Sequence, residues 1–101
     1  MMYEFFYEER VDNDIDEILD YFFVINPKLT DDFLDRIEEA KQTILNSPKG
    51  FEVKAKRART ILLKQFPYHI YYIIDGYKIV ILAILHAHSG QEKINKLKGI
   101  E

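Results

Sequence analysis

The stretch YHIYYIIDGYKIVILAILHAH, Tyr68 to His88, limits the chain more than any other: two apolar runs meet at Asp75-Gly76. An Asp-Gly pair between β-rich runs is a strong signal for a two-residue hairpin, because glycine supplies the positive φ that such turns need. The expected strands are Tyr68–Ile74 and Tyr77–His86. With Asp75-Gly76 as the loop, Ile74 faces Tyr77 and His69 faces Leu82. One face then carries Tyr68, Ile70, Tyr72 and Ile74 with Tyr77, Ile79, Ile81, Ala83 and Leu85. The other carries Tyr71, Ile73, Lys78, Val80, Leu82 and Ile84, together with all three histidines, His69, His86 and His88. The first face has no charge and is expected to lie against helices; the histidine face is expected to stay open.

Those helices belong to the first half. VDNDIDEILDYFFVINP spaces Ile15, Ile18, Leu19 and Phe22 helically, with Asp12 or Asn13 as the expected cap and Asn26-Pro27 as the stop. Thr30 is the expected cap of a second helix whose stripe is Phe33, Ile37, Ala40 and Ile44, ended by Ser47-Pro48-Lys49-Gly50. An aromatic run, Tyr3–Tyr7, reads as a strand before them, and Ala58–Phe66 as a strand after them. QEKINKLKGIE is expected as a short basic C-terminal helix, the alternative being a loose tail after Gly90. The fold class is therefore α/β of the α+β type: an N-terminal strand, then an antiparallel two-helix hairpin on one face of a mostly antiparallel sheet of about four strands. A chain of 101 residues that is 48% hydrophobic fits one domain spanning 1–101.

Composition narrows the chemistry. Without cysteine there is no disulfide framework, thiolate metal site or thiol nucleophile, and a cytoplasmic location is expected. The longest apolar run, Ile79–Leu85, is far short of the ~20 residues of a spanning helix, so no membrane role is expected. Charge is polarised: residues 1–48 hold 13 acids and 4 bases, residues 49–101 hold 4 acids and 10 bases. Five bases without one acid, Lys54, Lys56, Arg57, Arg59 and Lys64, fall between 54 and 64 and are the candidate contacts to an anionic target. The bland alternative is an edge strand kept soluble by lysine. At ~3.3 Å per residue, His69 and His86 lie about 13 Å apart in the expected register, too far to share a metal ion. No metal or other cofactor is expected; the plain reading of the histidines is strand-end surface residues, and the alternative chemistry open to them is proton transfer.

Pro48-x-Gly50 after the second helix, Arg59-x-x-x-Leu63-x-x-Phe66-Pro67-Tyr68, and the apolar strand ending at His86 together resemble the RelE/ParE superfamily of type II toxin-antitoxin toxins. The similarity runs from about Tyr3 to Ile94 and is strongest to the ParE-like members, often called plasmid stabilisation proteins. It implies a toxin that arrests growth when free and is silenced by a separate antitoxin. For ParE-like members the implied target is DNA gyrase; for RelE-like members it is messenger RNA, cut in the ribosome. The ribonuclease members carry arginine or lysine on the open sheet face, with a terminal aromatic or histidine for proton transfer. Here His69 stands where such an arginine is usual, and His86-Ala87-His88-Ser89 where one or two arginines are common. Neutral imidazoles stabilise a scissile phosphate poorly, so a gyrase-directed toxin ranks first. A ribosome-dependent mRNA endoribonuclease using His69, His86 and His88 ranks second, and a homologue that only binds antitoxin third.

Overall fold

A computed structural model describes residues 2–101. The elements are β1 (Glu4–Tyr7), α1 (Arg10–Ile25), α2 (Lys28–Asn46), β2 (Val53–Ala55), β3 (Ala58–Leu62), β4 (Tyr68–Asp75), β5 (Lys78–His86) and α3 (Gln91–Asn95). One five-stranded sheet has the order β1-β5-β4-β3-β2, with β1 parallel to β5 and every other pair antiparallel. The fifth strand beyond the expected four is β2, which pairs with the start of β3 around Lys56-Arg57. Lys56 takes φ 49° in that turn, a left-handed conformation that costs a non-glycine residue about 1–2 kcal/mol.

Asn26-Pro27 does more than stop α1. The Asn26 side chain accepts a hydrogen bond from the Lys28 backbone N–H at 3.1 Å, so the pair also starts α2, two residues before the expected cap at Thr30. Likewise α1 begins at Arg10, ahead of Asp12 and Asn13, with no side-chain cap. The α2 stripe is the expected one: Phe33, Ile37, Ala40 and Ile44 are all buried. On α1 the buried residues are Val11, Asp14, Ile18 and Phe22, with Ile15 and Leu19 partly buried at the side. Phe22, Phe33, Phe66 and Tyr68 close one end of this core, with ring centroids 5.1–6.2 Å apart.

The hairpin differs from its expected register in two places. Its two-residue loop is Gly76-Tyr77, with Gly76 at φ 62°, and Asp75 pairs with Lys78. This displaces partners by two residues and leaves the faces unchanged. Farther along, the register shifts once more: Tyr72 pairs with Ile81 but Tyr71 with Ala83, leaving Leu82 as the extra residue of a bulge. That one-residue slip exchanges the faces of everything beyond it. Ile84 joins the core under the helices, while Leu82, Ala83 and Leu85 join a second core on the opposite face. His69 now pairs with Leu85, and His86 with Tyr68.

The second face is not open. Ile94, Leu97 and Ile100 are buried against Ala58, Tyr71, Ile73, Leu82 and Leu85, so the chain after Gly90 forms a third layer. The Arg57 N–H donates to the Ile100 carbonyl at 3.2 Å, and Lys56 pairs with Glu101 at 3.0 Å. Gly99, at φ 92°, brings backbone onto Leu82; a Cβ there would meet the Leu82 methyl at 3.2 Å.

Candidate functional site

The bulge decides where the histidines go. His69, before it, has Nδ1 3.0 Å from the hydroxyl of buried Thr60 and its ring beside Tyr71 on the second face. Burial, and secondarily the charge of Lys54, hold its imidazole below the ordinary value. His86, past the bulge, packs edge-on against Tyr68 on the helix side, and the His88 ring lies tilted beside it with centroids 5.2 Å apart. The expectation that all three share one face is therefore corrected: the sheet separates His69 from His86, because the extra residue Leu82 reverses the alternation between them. Nδ1 of His86 accepts the His88 backbone N–H at 3.1 Å, which places the proton of the neutral ring on Nε2.

The five candidate cations are dispersed by the same pleat. Lys54, Lys56 and Arg57 stay together at the β2–β3 turn, where Lys54 lies 3.6 Å from Glu52 and Arg57 donates to the Gly99 carbonyl at 3.4 Å. Arg59 turns to the helix side. Its guanidinium donates to the carbonyls of Lys49 and Phe51, at 3.1 and 2.8 Å, and so holds the α2–β2 connection. Beyond the far end of β3, Lys64 pairs with Glu39 of α2 at 3.3 Å. That hydrogen bond leads the causes that hold the Glu39 carboxyl below its usual value.

Two concave surfaces flank the helices. Between α1 and α2 runs a groove of about 420 Å³ lined by Tyr7, Val11, Ile15, Leu34, Ile37 and Lys41. Between α1 and the end of β5 lies a cleft of about 300 Å³, where Tyr21, Tyr68, His86, Arg10 and Lys93 meet. It adjoins a hollow of about 320 Å³ walled by Tyr21, Phe22, Pro67, Tyr68 and His86. Burial, then the neighbouring Tyr21, raise the Tyr68 phenol, which stays protonated at neutral pH. Beside the cleft, Tyr21, Val24 and Ile25 lie on the outer side of the hairpin tip, Val24 being 86% exposed.

The floor of the cleft is built by a residue that the charge pattern hides. Asp14, only 8% exposed, accepts the Ile84 backbone N–H at 3.1 Å and is gripped by Arg10 at 3.0–3.3 Å. β1 ends opposite Ile81, so the next outward N–H of β5 has no strand to bond; Asp14 takes the place of one. Its signal in the sequence is an acid within the stripe of Val11, Ile18 and Phe22.

Fold and surfaces together describe a small α+β protein with an acidic helical hairpin that carries an apolar groove, and a separate basic turn, a form suited to binding other macromolecules. The profile of the family described as "ParE toxin of type II toxin-antitoxin system, parDE" matches residues 5–89, and the chain belongs to that family. Its fold is similar to that of a chain in the structure titled "Chromosomal ParDE TA system from P. aeruginosa", with a TM-score of 0.75. Identity there is 22%, over 86% of this chain and 98% of the other. No curated protein sequence matches it significantly.

Proposed function

We propose that this ParE-family toxin arrests growth by binding DNA gyrase without hydrolytic chemistry of its own, and that a cognate antitoxin of the ParD kind neutralises it. The observation carrying the reading is the distribution of its reactive groups. Phosphodiester cleavage needs proton-transfer groups and cations around one phosphate. Here His69 and His86 lie on opposite faces, and the Arg59 guanidinium is occupied by two carbonyls of its own chain. Lys54, Lys56 and Arg57 remain together at an exposed turn, a form fitted to contact and not to catalysis. The apolar groove between the helices and the exposed Tyr21, Val24 and Ile25 are surface that an antitoxin segment ordering on binding would cover.

Purified toxin is expected to inhibit supercoiling by purified gyrase, and antitoxin to restore it. Unchanged supercoiling by a toxin that still stops growth would reject the target.

One observation favours the endoribonuclease as a second reading: His86 presents Nε2–H in the cleft that Tyr68 and Lys93 also line. In that case translated message is cut at defined sites, and His86→Ala abolishes the cuts.

A further inference from the structure

The β5 edge is left unfinished beside the cleft. Three bonds fix the direction of its backbone groups: Ile84 N–H points to Asp14, Ala87 N–H to the Pro67 carbonyl, and the Tyr68 carbonyl accepts from Leu63 on the β3 side. Tyr68–His86 and Ile70–Ile84 are therefore the non-hydrogen-bonded pairs of the β4–β5 ladder. The Ile84 carbonyl and the His86 N–H then face away from β4, towards the side that β1 vacates after Tyr7. Carbonyl i with N–H i+2 is the rung by which a strand edge accepts another chain. The 300 Å³ cleft, bounded by α1 and lined by Ile84, Leu85 and His86, lies on that rung.

We propose that this edge receives an extended segment of the antitoxin as a short added strand, with one large apolar side chain seated between Tyr21 and Tyr68. The inference rests on the toxin–antitoxin reading and adds the place and form of the contact. The free main-chain rung selects an extended chain over a helix, whose own N–H and C=O groups are already paired. The hollow walled by Phe22, Pro67 and the two tyrosines selects an aromatic or branched aliphatic side chain. Tyr21 is 61% exposed, so a partner there removes apolar surface from water.

The test is residue-resolved amide exchange on the toxin alone and in its complex with the full-length antitoxin. Exchange at His86 is expected to slow about 100-fold or more in the complex, with a hydrogen-bond scalar coupling from the His86 nitrogen to an antitoxin carbonyl. At Ile84, already bonded to Asp14, exchange should change little. Tyr21→Ala, a surface change that leaves the fold intact, should raise the antitoxin Kd about tenfold. A complex that forms with His86 exchange unchanged, without the coupling, or with equal affinity for Tyr21→Ala overturns the strand addition while leaving the toxin–antitoxin pair standing. Failure to form any complex with the antitoxin overturns both.

Discussion

Asp14 shows how one side chain can finish a sheet. Its carboxylate replaces a missing strand at Ile84, so Asp14→Ala leaves a buried N–H unpaired and Arg10 without its partner. The expected loss is about 1–3 kcal/mol in urea unfolding, with Asp14→Asn closer to wild type because its carbonyl still accepts. Arg59 is a comparable case. Counted among the target-facing cations in the sequence, it instead bonds two carbonyls, and Arg59→Ala should cost about 1.5–3 kcal/mol while the isolated α2 stripe is untouched. His69 gives a pH dependence whose sign follows from its depressed value. The unfolded chain takes up its proton first as pH falls below about 6.5, so folded-state stability declines through that window and is unaffected above it. His69→Gln should flatten that decline in stability measured between neutral pH and pH 5. Residue types announced some of these roles and concealed others. An acid on an apolar stripe is visible in the sequence, whereas nothing in Lys54–Lys64 distinguishes the arginine that turns inward.

At the scale of elements, periodicity was readable wherever polar residues marked the outer side. Both helices carry acids between their apolar positions, and their buried stripes follow. The hairpin was readable up to Ile81 because a two-residue error at the turn preserves the faces. From Ile81 to Leu85 every residue is apolar, so no polar marker reports where the alternation slips, and the bulge at Leu82 leaves no trace in the pattern. The destination of the slipped side chains was nevertheless written elsewhere: Ile94, Leu97 and Ile100 recur every three residues in the tail and cover Leu82, Ala83 and Leu85. That layer is expected to be part of the folding unit. Leu97→Ala should destabilise by about 2 kcal/mol or more in urea unfolding, and the double variant with Leu82→Ala should fall short of the sum, since the two share one core. Additive losses would show that the tail docks independently of the bulge.

The whole molecule is electrically divided: acids dominate the strand and helices of the first half, and bases the β2–β3 turn. Such a dipole favours two partners at two surfaces, because the potential near each end steers opposite charge. Lys54, Lys56 and Arg57 sit at one end of β3 and Lys64 beyond the other, so the candidate cations that read as one cluster in sequence form two separate groups. The ion pairs of Lys54 and Lys56 with Glu52 and Glu101 are exposed, and exposed pairs are worth about 0–1 kcal/mol, so both side chains are available to an anionic target at little cost. Reversing the turn with Lys54→Glu and Lys56→Glu is therefore expected to weaken gyrase inhibition tenfold or more without lowering antitoxin affinity, whereas Lys64→Glu alone leaves inhibition within about twofold. Raising the salt from 50 to 200 mM should weaken inhibition by the wild type more than by the reversed variant, because screening removes an attraction that the variant no longer has. Inhibition assays on the three proteins at both salts decide the point. Equal potency of wild type and the reversed turn would move the target surface away from β2 and back to the helical side.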